Sequence, residues 1–254
     1  MIKKNIPVYI ILFFMFSSAL IAQEIQTEKS NEDSGVITEF SYGFFIPGGD
    51  LQNRFGNNFK VDISPVYYFY NSSFSIGLEI SYLFGSEVKI NPLSNLISYD
   101  NQLIGTDKTF ASLTMDERGY QAGLKIGKII SFDNHIRSGL KLELGIGIIR
   151  HWIHFQKDFG VLPQLEGEYL KGYDRLTGGF STKEFFGYQY LKRDSRINFY
   201  AGFEFVQGFT KSLRRYNYDQ AAYDLDKRKD FLFGFKIGWI LPLYIMKNPD
   251  EIYY

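Results

Sequence analysis

Several features are scarce or missing in this 254-residue sequence, and each absence excludes a class of protein. Cysteine is absent, which rules out disulfide staples, thiolate metal sites and cysteine nucleophiles. A surplus of charge is also missing, because 28 basic residues balance 28 acidic residues and the formal net charge is zero. Without an excess of basic residues, we expect no nucleic-acid partner.

Long apolar runs are missing after the first 22 residues, because Gly, Lys, Glu or Asp interrupts every later stretch before it reaches about 18 residues. The one apolar run, Ile6 to Phe16, follows Lys3 and Lys4 and precedes small residues that end at Ala22. This pattern predicts a secretory signal peptide over residues 1–22, cleaved after Ala22. A membrane-anchor helix is the alternative, but the run is short for a hydrocarbon core of about 30 Å.

The residues that are abundant favour strands. The chain has 25 Phe, 19 Tyr and 24 Gly but only 7 Pro, a mixture typical of β-structure interrupted by glycine. Residues 23–35 are polar and lack periodicity, which predicts a flexible periplasmic linker. We assign residues 36–246 to one barrel domain and residues 247–254 to a short periplasmic tail.

Alternation of apolar and polar residues predicts eight strands. Each segment is long enough to cross a bilayer, which takes about 9 to 11 tilted residues. The predicted spans are 36–46, 59–70, 74–85, 118–130, 138–154, 181–191, 196–210 and 229–245.

The two faces of these strands differ in a way that indicates a membrane barrel. In segment 74–85 one face carries Phe74, Ile76 and Leu78, whereas the other carries Ser75, Gly77 and Glu79. A soluble sandwich also alternates, but a soluble barrel must fill its inside with large apolar groups. Here the face with few apolar residues holds glycines and charges. The sequence therefore predicts an outer-membrane, antiparallel, up-and-down β-barrel with its apolar side outward.

The connections between the predicted strands support this assignment. Long and short connections alternate, as in outer-membrane barrels with long extracellular loops and short periplasmic turns. Aromatic residues near the strand ends are predicted to form interfacial girdles. They are Tyr67, Phe69, Trp152, Tyr188, Tyr190, Trp239 and Tyr244.

The inward face predicts a network of buried charges. Eight strands leave an interior that side chains fill, so the charges should pair with one another, and a gated proton or ion path is the alternative. The predicted members are Glu39, Lys60, Asp62, Glu79, Lys125, Lys141, Glu143, Glu204 and Lys236. Inward glycines are expected to leave room for these long side chains. They are Gly43, Gly123, Gly127, Gly202 and Gly234.

No catalytic residue, metal site or cofactor is predicted. His151 and His154 are three residues apart on a strand and should point to opposite faces, so they cannot share a metal without a bulge. A serine hydrolase acting at the outer rim would need one of these histidines beside a serine and an acid. Asp158 and Asp174 are close in sequence, but no serine is clearly placed.

The third long loop contains a candidate binding surface that combines aromatic and charged residues. Its members are Tyr169, Lys171, Tyr173, Asp174 and Arg175. A loop of this composition is either simply solvated or a surface for a protein or glycan.

Resemblance to a known family rests on six segments. They are PGGDLQNRFGNNF, YLFGSEVKINPL, MDERGYQAG, PQLEGEYLKGYDRLTGGF, INFYAGFEFVQGFT and GFKIGWILPLY. Together they resemble a family of small outer-membrane β-barrel proteins of the Bacteroidota with no assigned activity, and more remotely the OmpA and OmpX class. The resemblance implies an outer-membrane barrel and brings no catalytic residues. The tail 247–254 departs from such barrels, which often end on the aromatic residue that closes the last strand.

Three functional classes follow from these observations. The first is a structural or accessory barrel that contacts outer-membrane lipids and other outer-membrane or periplasmic proteins through its long loops or its outer wall. The second is a small ion- or solute-conducting pore. The third is a rim enzyme acting on lipid A or phospholipid. We expect the first class and no enzymatic activity.

Overall fold

A computed structural model describes most of the predicted barrel. The described residues are 35–69, 72–97, 103–104, 110–131, 138–160, 162–191, 198–214 and 216–243. The predicted signal peptide, the predicted tail, nearly all of the predicted linker and Tyr244 lie outside these residues.

Eight long strands form a closed antiparallel barrel, which confirms the predicted fold class. The strands are β1 Gly35–Gly49, β2 Asn58–Tyr68, β3 Phe74–Gly85, β4 Phe110–Ser131, β5 Gly139–Phe159, β6 Thr177–Tyr190, β7 Phe199–Ser212 and β8 Lys227–Leu243. Each strand pairs with its neighbours in sequence, and β1 pairs with β8 to close the barrel.

The connections define two ends of the barrel. The turn end carries the connections 69–73, 132–138 and 191–198, and the loop end carries 50–57, which is as long as 191–198, and the longer connections 86–109, 160–176 and 213–226. The loop-end connections contain short 3-10 helices at Leu51–Asn53, Pro163–Leu165 and Tyr169–Gly172. A small hairpin pairs Tyr216–Asn217 with Ala222–Tyr223.

Several strands extend further toward the loop end than the sequence predicted. β4 begins at Phe110 rather than at residue 118, β5 ends at Phe159 rather than at 154, and β6 begins at Thr177 rather than at 181. In the β4 extension Ala111, Leu113 and Met115 pack inward while Ser112 and Thr114 are exposed, so the apolar face is the inner one there, the reverse of the pattern that revealed the rest of the strand.

The strands are strongly staggered around the barrel. Following paired residues once around, through Ile37, Val66, Gly77, Lys125, Gly145, Lys183, Val206, Leu232 and Pro47, returns to β1 ten residues further along (47 − 37 = 10). A stagger of this kind inclines the strands to the barrel axis, and with eight strands the interior is just wide enough for side chains.

The outer face carries the large apolar side chains, as the alternation predicted. On β3, Phe74, Ile76, Leu78, Ile80 and Tyr82 are all exposed, whereas the residues between them are buried. The same arrangement holds for the outward residues of β5, β7 and β8.

Two apolar layers lie inside the barrel, a feature that the sequence did not predict. The layer at the turn end comprises Ile37, Val66, Tyr68, Ile129, Phe185, Leu191, Tyr200 and Ile240. The layer toward the loop end comprises Phe45, Leu51, Phe55, Leu83, Ile149, Ile153, Val206 and Leu232. The predicted charges lie between the two layers along the strands.

The inward glycines make room mainly for aromatic rings, which corrects the prediction that they make room for charged side chains. A Cβ at Gly43 would lie 2.7 Å from the ring of Phe45, and one at Gly234 would also meet that ring. A Cβ at Gly202 would lie 2.8 Å from the ring of Phe185. Of the five predicted glycines, Gly127 is the one whose Cβ would approach a network carboxylate side chain, Glu143.

Replacing Gly234 with alanine is expected to lower the free energy of unfolding by about 1–3 kcal/mol, because the added methyl group would overlap the ring of Phe45. Urea titration of the refolded barrel measures this change. Gly48→Ala is the matched control, because its Cβ would lie 3.5 Å from its nearest neighbour, an ordinary contact distance. Equal stability of the two variants would contradict the proposed packing.

Candidate functional site

A network of buried charges crosses the barrel interior, and every strand contributes to it. Its members are the carboxylates Glu39, Asp62, Glu79, Glu143 and Glu204 and the lysines Lys60, Lys125, Lys141, Lys183 and Lys236. None is more than 5% exposed, and the five negative charges equal the five positive charges. We call these ten residues the interior network.

All nine residues that the sequence placed inside the barrel lie in the interior network, and Lys183 is the tenth. The sequence analysis missed it because Lys183 and Glu184 are adjacent charged residues on β6, so either face could have been the inward one. The flanking sequence was the available signal, because Ser181 and Gly187 share the face of Lys183 whereas Phe180, Phe186 and Tyr188 share the opposite, aromatic face.

One part of the interior network centres on Glu39. The ammonium of Lys125 lies 2.6 Å from this carboxylate, and Lys141 also pairs with it. Glu143 completes the group at 3.1 Å from Lys125 and 3.3 Å from Lys141. Two lysines therefore face two carboxylates within this group.

A second part centres on Glu204, which accepts hydrogen bonds from Lys60 and Lys236. Asp62 lies 3.3 Å from Lys236 and 3.6 Å from Lys60, and it accepts a 2.8 Å hydrogen bond from the hydroxyl of Ser41. Two lysines again face two carboxylates.

Glu79 connects the two parts. Its carboxylate lies 2.5 Å from Lys183, 3.7 Å from Lys236 and 3.8 Å from Lys125. Since Glu79 reaches a lysine of each part, the ten charges form one continuous network rather than separate ion pairs.

Aromatic rings bound the interior network on both sides. The ammonium of Lys60 lies 5.0 Å from the ring centre of Phe45, in the layer toward the loop end. Lys141 lies 4.0 Å from the ring of Tyr200 and Lys236 lies 5.3 Å from the ring of Phe185, both in the layer at the turn end. These distances are within the range of cation–π attraction.

Three network carboxylates lie close enough together to be considered as a metal site. Oxygen atoms of Asp62, Glu79 and Glu204 lie within 4.8 Å of one another. Lys60, Lys183 and Lys236 already neutralise these carboxylates. The group therefore lacks the uncompensated negative charge that attracts a divalent cation.

A polar cluster that the sequence did not predict lies nearer the loop end. Asp230 accepts a 2.7 Å hydrogen bond from Arg54 and a 2.6 Å hydrogen bond from Thr210. Nε2 of His151 lies 3.0 Å from the same carboxylate. Residues from three strands and one loop thus meet at a single buried aspartate.

The two histidines of β5 point to opposite faces, as predicted. His151 is buried against Asp230, whereas His154 is exposed. The acids considered for a rim hydrolase are engaged elsewhere, because Asp158 accepts a hydrogen bond from Thr114 and Asp174 pairs with Arg214. The structure does not bring these acids to His151.

The five residues of the predicted loop surface do not form one exposed surface. Tyr173 and Asp174 are buried, because the loop folds onto the barrel and packs Tyr173 into an apolar cluster with Leu93, Leu162 and Leu165. The remaining three are distributed as follows: Arg175 is paired with Asp219, Lys171 is exposed and paired with Glu168, and Tyr169 is exposed.

Ion pairs hold the loop-end connections together. Hydrogen bonds to Asp174 raise the pKa of Arg214 above its ordinary value. Burial alone would raise the pKa of Asp224, but hydrogen bonds from Arg228 and Asn217 outweigh it and lower that pKa. Both interactions stabilise the charged forms of the residues and brace the connection 213–226.

The exposed apolar residues of the loop end lie beside this braced region. Tyr169, Tyr223 and Leu225 are each more than 60% exposed. Of these three, Tyr169 belongs to the loop surface that the sequence predicted, and Tyr223 and Leu225 do not.

Comparison with solved structures finds small barrels of low sequence identity. The attachment invasion locus protein Ail of Yersinia pestis, solved with the heparin analogue sucrose octasulfate, is 13% identical, with 82% of this chain and 99% of that chain covered and a TM-score of 0.41. Neisserial surface protein A is 11% identical, with 82% and 99% covered and a TM-score of 0.42.

The N-terminal β-barrel domain of Pseudomonas aeruginosa OprF is 11% identical, with 81% of this chain and 97% of that chain covered and a TM-score of 0.35. These identities and scores are too low to transfer an activity, ligand or partner to this chain. No protein-family profile and no curated protein sequence matches the chain. Within the described ranges, no helix is long and apolar enough to cross a membrane.

Replacing Lys183 with methionine is expected to lower the free energy of unfolding by about 3–5 kcal/mol, because Glu79 loses its nearest ammonium inside the barrel. Urea titration measures the change. The double variant Lys183→Met/Glu79→Gln restores neutrality and should recover part of the loss. The exposed Lys171→Met is the control and should change stability by less than about 0.5 kcal/mol. A loss for Lys183→Met no greater than that of the control would contradict the enclosed network.

Proposed function

We propose that this chain is an integral outer-membrane barrel with a closed interior and a structural or accessory role, which it performs through its outer wall and loop end. The outer wall supports membrane insertion. Exposed Phe, Ile, Leu and Tyr side chains cover all eight strands. A water-soluble protein rarely exposes a continuous apolar surface of this extent, whereas lipid chains solvate it well.

Aromatic side chains near the two ends support the same placement. At the turn end Tyr67 and Phe69 are exposed with ring centres 5.4 Å apart, and Tyr188 is exposed on β6. Toward the loop end the rings of Tyr120 and Trp152 lie 5.8 Å apart. Amphipathic rings at two levels favour the two interfaces of a bilayer.

The proposed location and export of the protein are based on its sequence. The signal peptide predicted over residues 1–22 would deliver the chain to the periplasm, and a closed β-barrel then suits the outer membrane. The resemblance to small outer-membrane barrels of the Bacteroidota supports this location.

The observation that carries the closed-barrel proposal is the interior network between its two apolar layers. A conducting path needs a continuous series of hydrated positions. Here ten paired charges occupy the interior, and aromatic rings such as Phe45 and Tyr200 contact them from the two sides. This arrangement favours a structural barrel over a small pore.

The purified barrel is expected to give no steady ohmic current in planar bilayers, because the network and the apolar layers block a hydrated path. Current recordings check this result, with a general porin as the positive control. A difference in gel mobility between the unboiled and the boiled protein verifies that the sample is folded. Reproducible conductance steps from folded protein would favour the pore alternative.

The outer wall contains one carboxylate that favours contact with a membrane partner. Glu184 points outward on β6, between Leu144 on β5 and Phe205 on β7 in the paired register. It lies in a groove of about 630 Å³ whose lining includes Phe186 and Phe203. Its Oε2 atom is buried and has no hydrogen-bond partner among the described residues.

A carboxylate facing lipid is energetically costly, and such groups usually pair with another charge. The charge that complements Glu184 is a lysine or arginine on a second membrane-spanning protein. The apolar groove around Glu184 would contact the remainder of that protein's lipid-facing surface. We therefore assign the accessory role to the part of the outer wall around Glu184.

Replacing Glu184 with leucine is expected to stabilise the isolated barrel in lipid vesicles by roughly 1–2 kcal/mol, because it removes a charge from the lipid-facing wall. Urea unfolding in vesicles measures the gain, with Leu144→Ile as a neutral control at the paired position. The same variant should lose any protein that co-purifies with the wild type in mild detergent. A destabilised barrel would show that Glu184 is already satisfied within this chain and would contradict the partner site.

A further inference from the structure

A second pocket lies on the outer wall, where β6, β7 and β8 approach the loop end. Its volume is about 460 Å³. Phe180 and Phe209 form its apolar floor, and Lys211, Lys227 and Lys229 form its basic margin. We call these five residues the rim site.

The three lysines of the rim site are close to one another and lack counter-charges. Lys227 lies directly opposite Lys211 in the pairing of β8 with β7, and Lys229 lies opposite Phe209. All three are exposed, and no lysine of the three forms an ion pair with a described residue. Like charges directly opposite each other destabilise a sheet, so this arrangement favours a bound anion.

Asp50 and Asp224, two of the acidic residues nearby, are already engaged, and Asp226, which precedes Lys227, forms no ion pair with a described residue. The carboxylate of Asp50 accepts a 2.7 Å hydrogen bond from the backbone N–H of Lys229. Asp224 is paired with the guanidinium of Arg228 at 2.6 Å. Neither carboxylate neutralises the lysine ammonium groups of the rim site.

The floor of the pocket is apolar and continuous with the lipid-facing wall. Phe180 and Phe209 are each 49% exposed, and their rings are stacked with centres 6.5 Å apart. Below them, toward the turn end, the wall continues with Phe186 and Phe203. A ligand that fits this site needs an anionic group next to an apolar chain.

We infer that the rim site binds a phosphate-bearing membrane lipid, with its phosphate among the three lysines and its acyl chains on the two phenylalanines. The position fits, since Lys227 begins β8 and Lys211 lies next to the last residue of β7. If the barrel spans the membrane as proposed, these strand ends lie at the headgroup level, where basic residues attract anionic lipids. The inference rests on that proposed insertion.

Native mass spectrometry of the folded chain in detergent micelles tests the inference, with bis-phosphorylated lipid A as the probe. Wild type should retain the probe and should bind dephosphorylated lipid A weakly. The triple variant Lys211→Gln/Lys227→Gln/Lys229→Gln is expected to lose roughly tenfold or more in affinity for lipid A. Lys128→Gln is the matched control, because Lys128 is an outward lysine near the turn end that stacks on Phe74 at 4.8 Å. The control should bind as the wild type does.

The double variant Phe180→Ser/Phe209→Ser tests the apolar floor of the rim site, and it should weaken lipid A binding. Inorganic phosphate alone should not displace the lipid at millimolar concentration. Unchanged binding by the triple lysine variant, or equal losses in that variant and in Lys128→Gln, would overturn the inference. Efficient displacement by inorganic phosphate would also overturn it, since it would indicate a simple anion site.

Gel mobility before and after boiling separates this inference from the proposed insertion. A variant that keeps the folded mobility but loses lipid A supports the rim site. A wild-type chain that folds yet does not partition into vesicles would contradict the membrane proposal itself, irrespective of the result with lipid A.

Discussion

Ten buried charges in one layer constrain the rest of this barrel, because each must be neutralised away from water. Desolvating an ion costs several kcal/mol, and only well-placed opposite charges offset that cost. The five carboxylates and five lysines meet this condition as one network connected through Glu79. The aromatic rings of Phe45, Phe185 and Tyr200 limit the access of water from both sides. Glycines such as Gly234 are needed because those rings fill the remaining width of an eight-stranded barrel.

The fold and most of the interior network could be predicted because a strand places alternate residues on opposite faces. A shift of one residue would move every lysine and glutamate of the network into lipid, so the pattern is strongly specified. At Lys183 and Glu184 both faces of the strand carry a charge, so the alternation did not indicate which residue points inward. Lys183 was missed for that reason. It also could not assign partners: Lys125 and Glu39 are 86 positions apart and meet only through the stagger of the strands.

The loop end was predicted less well, for a different physical reason. At the start of β4 the outer face is polar and the apolar residues Ala111, Leu113 and Met115 pack inward, so this extension lacks the outward apolar face that revealed the rest of the strand. The loops also fold back on the barrel through long-range contacts, including a 2.8 Å hydrogen bond from the backbone N–H of Ile153 to the carbonyl of Asp174. A local reading of the sequence treats Tyr173 and Asp174 as solvated loop residues, whereas the tertiary structure buries both.

Neutrality of the interior also determines where this barrel can interact with other molecules. Every charge of the interior network has an ion-pair partner, so the network offers little to a charged ligand. Charges without an ion-pair partner among the described residues are found on the outer wall instead, and they include the carboxylate of Glu184 and the three lysines of the rim site. Both features lie on β6, β7 and β8, one within the apolar wall and the other at its loop-end margin. A basic side chain of another membrane-spanning protein can complement Glu184, and a lipid phosphate at the membrane surface can complement the three lysines. One side of this barrel is therefore suited to bind a protein and a lipid next to each other.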